Sequence, residues 1–102
     1  MNYFVSYDIR SDRRRTRLSQ LLLRHGGRRI QKSVFFIQDF DRPALEALLG
    51  AAGQLLAPST HPADSLLCIP ADREHQSGTT LLTAAGRQTG EKLLDERRTV
   101  SF

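Results

Sequence analysis

A chain of 102 residues with 39% hydrophobic and 25% charged side chains has the size of one domain and a balance that excludes disorder. No run reaches the roughly 18 apolar residues of a membrane span and no leader of basic, apolar and small residues opens the chain, so a cytoplasmic protein is expected. The lone Cys68 excludes an internal disulfide and leaves any zinc site to His and Asp. The net charge of +4 is one-sided: residues 1–29 hold eight arginines against Asp8 and Asp12, while the remainder is net acidic. Thirteen of the fifteen basic residues are arginine, the side chain suited to bidentate phosphate contacts, which points toward a polyanion partner.

The first twelve residues predict a strand, rich in aromatic and β-branched residues and free of Gly and Pro. Alternation sorts Tyr3, Val5, Tyr7 and Ile9 onto an apolar face and Asn2, Phe4, Ser6 and Asp8 onto the other. Asp8 is out of place by strand propensity. It either opens a turn at a fraying end or serves as a ligand for metal or phosphate chemistry. Ser11 or Asp12 caps a helix running to about His25, with Leu18, Leu21 and Leu22 as its apolar stripe and Gly26 at its left-handed end. Arg13, Arg14 and Arg15 crowd the first turn, where the helix dipole disfavours cations, so a functional reason is expected for them. Arginines and helix-end amides converging near Asp8 would receive a phosphate.

Residues 28–39 read as two short strands, 28–31 and 33–38, and the second carries an aromatic on each face. Asp41 caps a second helix with Pro43 in its first turn and Leu45, Leu48, Leu49, Ala52 and Leu56 as its buried stripe. Residues 57–63 form a loop, 64–70 a short apolar strand and 71–78 a polar turn. Residues 79–83 read as a strand with no obvious partner in their own chain, and residues 86–102 as a flexible charged tail with a weak helical patch at Lys92-Leu93-Leu94. The order predicts an α+β, ferredoxin-like β-α-β-β-α-β sandwich with an extra C-terminal strand, spanning 1–85, with helices on one face of its sheet. The bare face, carrying Phe4 and with Phe35 as a second candidate, predicts a homodimer whose last strand exchanges onto the partner's sheet edge.

The stretch Tyr7-Asp8-Ile9, the run Asp12-Arg13-Arg14-Arg15-Thr16-Arg17, a helix closing at Gly26, and Arg29-Ile30-Gln31-Lys32-Ser33-Val34-Phe35 together resemble the CRISPR-associated protein 2 family. The likeness is dense over residues 1–40 and looser over 64–70. It implies a homodimer whose strand-end aspartates face each other, and magnesium-dependent cleavage of RNA or double-stranded DNA. It further implies a place in spacer acquisition beside the CRISPR integrase subunit. By the same resemblance the metal ligand falls on Asp8, and the other active-site positions on Tyr7, Arg15, Arg17, Arg29, Ser33 and Phe35. Nucleic-acid contacts are expected from Arg13, Arg14, Arg15, Arg17 and Arg29.

Two functions use these residues. In the first, two Asp8 carboxylates hold Mg²⁺ and the arginines neutralise developing charge. In the second, the arginines hold a duplex backbone and Asp8 only shapes an interface. A single-strand RNA reader is disfavoured, because no Lys/Arg-Gly-Phe-type stacking run occurs. Tyr7 and Phe35 also have plain packing readings, in the core or at an interface. His61 and His75 lie in loops with no partners at metal-ligand spacing, and Cys68 reads as a small buried apolar residue.

Overall fold

The computed structural model describes residues 1–72 and 78–89. Its elements are β1 (Tyr3–Asp8), α1 (Asp12–Arg24), β2 (Arg28–Gln31), β3 (Val34–Ile37), α2 (Arg42–Leu56), β4 (Ser65–Pro70), β5 (Thr80–Thr83) and β6 (Gly86–Thr89). The six strands form one antiparallel sheet in the order β2-β3-β1-β4-β5-β6. This is an α+β architecture compatible with the expected ferredoxin-like sandwich. β1 is central and pairs with β3 on one side, Val5 opposite Phe35, and with β4 on the other, Asp8 opposite Ser65. No helix among the described residues is long and apolar enough to cross a membrane.

Both helices start on the residues the sequence offers. Ser11 caps α1, its hydroxyl accepting from the Arg14 N–H at 3.2 Å, and Asp41 caps α2, its carboxylate accepting from the Ala44 N–H at 2.9 Å. α1 ends at His25, after which Gly26 takes φ +85° and Gly27 passes so close to the helix that a Cβ there would lie 2.8 Å from the Leu22 carbonyl oxygen. One face of the sheet and the two helices enclose the core, in which Val5, Leu18, Leu22, Phe35, Ala52 and Leu56 are fully buried. Cys68 lies within it, and burial pushes its thiol up to about 12, as befits an inert packing residue.

Three expectations change. Phe35 points to the helix side and is wholly buried, so the aromatic beside Phe4 on the bare face is Phe36, with ring centroids 4.9 Å apart. The run Val-Phe-Phe-Ile is apolar in both phases, and pairing with the alternation of β1 decides between them. β5 is no orphan: it pairs along β4 in the same chain, Leu66 opposite Leu82, because the outer edge of β4 offers unpaired amides and the inner side of β5, Thr80 and Leu82, can be buried. Gly86–Thr89, expected to begin the tail, instead form β6, which turns back on β5 through Ala84 and Ala85 and ties to α2 by an Arg87–Glu46 pair at 3.3 Å. The rest of that tail, with its helical patch, and the loop carrying His75 lie outside the described residues.

The bare face displays Phe4, Val34, Phe36, Leu67, Ile69 and Leu81 in adjacent register rows. Phe4 keeps 38% of its surface exposed and the other five are half-buried.

Candidate metal and nucleic-acid site

Asp8 ends β1 on the bare face, in a polar row with Ser65 and Thr83. It is exposed, and among the described residues its carboxylate has no hydrogen-bond or ion-pair partner. Immediately beyond it the chain is held hard. Ile9 is buried, its carbonyl accepts from Arg15 Nη1 at 3.2 Å, and the next N–H, that of Arg10, donates to Asp64 Oδ1 at 3.0 Å. The Arg15 guanidinium also pairs with Asp12.

Asp64 is the residue that sequence reasoning passed over as the mere start of a strand. It is fully buried, and its second oxygen accepts the Ser59 hydroxyl at 2.7 Å. Burial works to raise its pKa. The hydrogen bonds from the Arg10 N–H and Ser59, with His61 and Arg14 nearby, outweigh that and hold the carboxyl below its ordinary value. The one local signal was an acid leading an apolar strand, a place where a carboxylate must find donors.

The arginines divide into two groups. Arg13, Arg17 and Arg24 are exposed and lie at i, i+4 and i+11 of α1, hence in a single stripe about 16 Å long. Arg15 has its guanidinium engaged within the protein, and Arg14 is half-buried near Asp64. On β2, Arg29 lies 5.2 Å from the Phe35 ring centroid and Arg28 6.0 Å from that of Phe36, so the outermost strand presents one guanidinium to each side of the sheet.

The remaining expected positions meet around Tyr7. Its N–H donates to the Ser33 carbonyl at 3.0 Å, its hydroxyl donates to the Lys32 carbonyl at 3.4 Å, and its ring stacks on Phe35 with centroids 6.2 Å apart. Tyr7 and Phe35 are both interior, and Phe35 therefore supports Arg29 from beneath rather than flooring a cleft. Ser33 sits in the β2–β3 turn beside the Asp8 end of β1.

A divalent cation would find one unpaired carboxylate here per chain among the described residues. Among the described residues no group of three or more His, Cys, Asp or Glu side chains is placed to hold a metal. Asp8 nonetheless fits magnesium, which takes few protein carboxylates and keeps several waters, provided a second carboxylate arrives from another copy. A cavity of about 580 Å³ lies elsewhere, lined by Tyr3, Arg42, Leu49, Thr80 and Arg87, and does not reach Asp8.

The family model described as CRISPR associated protein Cas2 matches residues 1–78, a span that covers Asp8, the arginines of α1 and β2, and β4. No curated protein matches the chain.

Proposed function

The chain belongs to this family, whose function is CRISPR-related, and from that premise we propose a metal-dependent endonuclease of CRISPR adaptation that hydrolyses phosphodiester bonds of RNA or double-stranded DNA. The observation that carries the reading is Asp8: an exposed carboxylate at a strand end, without a partner among the described residues, on a sheet face that one chain leaves bare. A second copy laid on Phe4, Phe36 and Ile69 would cover that face and bring the Asp8 of the partner subunit toward the first.

In this reading the two Asp8 side chains hold Mg²⁺, which when bound supplies Lewis-acid polarisation of a phosphoryl oxygen. Arg17 and Arg29 neutralise phosphate charge as it develops. Arg15 and Tyr7 act from within the protein, fixing the end of β1 and the β2–β3 turn. Asp8→Asn keeps the side chain's size and removes its charge. It should abolish magnesium-dependent cleavage in a metal-titrated assay while the chain folds and associates as before. Cleavage at the parental rate would overturn the mechanism.

A second reading has its own observation, the exposed arginine stripe of α1. A dimeric scaffold holding duplex DNA within the CRISPR integrase complex, in the cytoplasm, would use Arg13, Arg17 and Arg24 as phosphate contacts and need no chemistry from Asp8. Spacer acquisition by the Asp8→Asn variant separates the two: it persists for a scaffold and fails for a nuclease.

A further inference from the structure

The two groups that grip the chain just after Asp8 hold one and the same peptide plane. The carbonyl of Ile9 and the N–H of Arg10 belong to a single amide. The first is taken by the Arg15 guanidinium at 3.2 Å and the second by the Asp64 carboxylate at 3.0 Å. The chain of contacts continues outward on both sides, through Asp12 beyond Arg15 and through Ser59 beyond Asp64. A planar amide with both polar ends fixed cannot rotate, so the φ and ψ angles that follow Asp8 are set by side chains from α1 and from the loop before β4.

We propose that Asp64 is a positioning residue for Asp8: by clamping the Ile9–Arg10 peptide together with Arg15 it sets where the Asp8 carboxylate stands, and so how tightly the site holds a divalent cation. The inference rests on the metal-dependent reading of Asp8. The structure favours it over a plain stabilising role in two respects. A fully buried carboxylate is an expensive way to satisfy one backbone N–H and one serine hydroxyl, groups that water or a neutral side chain would serve. The bond also falls two residues from Asp8, the acid on the bare face that has no partner among the described residues, and Asp64 directly precedes Ser65, which pairs with Asp8 in the sheet. A site that draws one donor from each of two chains has few contacts with which to correct an error, and tolerates displacements of only about 0.5 Å.

Two variants and two readouts test this. Asp64→Ala removes the acceptor, and Asp64→Asn keeps an oxygen but not the charge. In both, the Arg10 amide should exchange its hydrogen faster, by about tenfold or more for Asp64→Ala. The Mg²⁺ concentration for half-maximal cleavage, and the Mn²⁺ affinity measured by calorimetry without substrate, should weaken by about 10- to 100-fold in Asp64→Ala and by less in Asp64→Asn. Saturating metal should restore most of the rate. Leu48→Ala, a core change remote from the loop, should lower the melting temperature and leave the metal affinity where it was. If Asp64→Ala does not fold, the Asn variant carries the test. A metal affinity of Asp64→Ala within about twofold of the parent would overturn the proposal, even where the Arg10 amide exchanges faster. If Asp8→Asn cleaves as well as the parent, the nuclease reading fails on its own, and the Arg10 exchange rate alone then decides whether the clamp exists.

Discussion

On one side of β1, Tyr3, Val5, Tyr7 and Ile9 lie against the helices with no more than 7% of their surface exposed; on the other, Phe4 keeps 38% and Asp8 stands in solvent. The same strand thus carries a face completed by its own chain and a face that is not. On the completed face each side chain is accounted for by its neighbours, down to the Tyr7 ring on Phe35. On the bare face neither the aromatic pair nor the terminal acid is accounted for, and function is sought in that remainder.

The sharpest way to break this contrast is to truncate two adjacent aromatics. Phe35→Ala should cost about 3–5 kcal/mol of stability in denaturant unfolding at any protein concentration, because it opens a cavity in the core. Phe36→Ala, one residue on, should leave unfolding of the single chain nearly unchanged and weaken self-association. Equal losses from both would erase the distinction between the faces. A smaller effect on the fold, and a larger one on assembly, is expected of Phe4→Asp. Sedimentation should show single chains, with a melting temperature close to that of the isolated parent, since the charge enters solvent rather than the core. A variant that still dimerises would remove the bare face as the interface.

The smallest effect concerns acid. The Asp64 carboxyl titrates below its ordinary value in the folded chain, so its contribution to stability is fully present above the unfolded value of about 3.9. It is lost as pH falls through the lower, folded value. The acid limb of the pH–stability curve should therefore be shallower in Asp64→Asn than in the parent.

Local rules made much of this legible. The two faces of β1, a cap at Ser11 or Asp12, the Asp41 cap and the leucine stripes of both helices follow from alternation, capping chemistry and 3.6-residue periodicity, and the structure has them there, with Ser11 taking the first cap. What was not legible depended on contacts distant in sequence. Val-Phe-Phe-Ile fits either face until β1 selects one. Gly-Arg-Gln-Thr has no apolar alternation at all, and becomes β6 through a tight turn and a pair with Glu46. Asp64 shows its role only when the N–H of Arg10, 54 residues away, is seen to donate to it.

β2, the last strand on its side of the sheet, leaves its outward amides and carbonyls without a neighbouring strand, and all four of its residues are exposed. Such an edge can pair with a like edge of another copy and extend the sheet into insoluble matter. Here two adjacent guanidiniums, Arg28 and Arg29, and a slip in pairing register between Arg29 and Gln31 make a like edge a poor match. A polyanion that neutralises those charges removes the repulsion along with them. Colloidal solubility thus draws on the same two side chains that a bound polyanion would engage, and the edge would be best guarded against its own copies when it carries nothing.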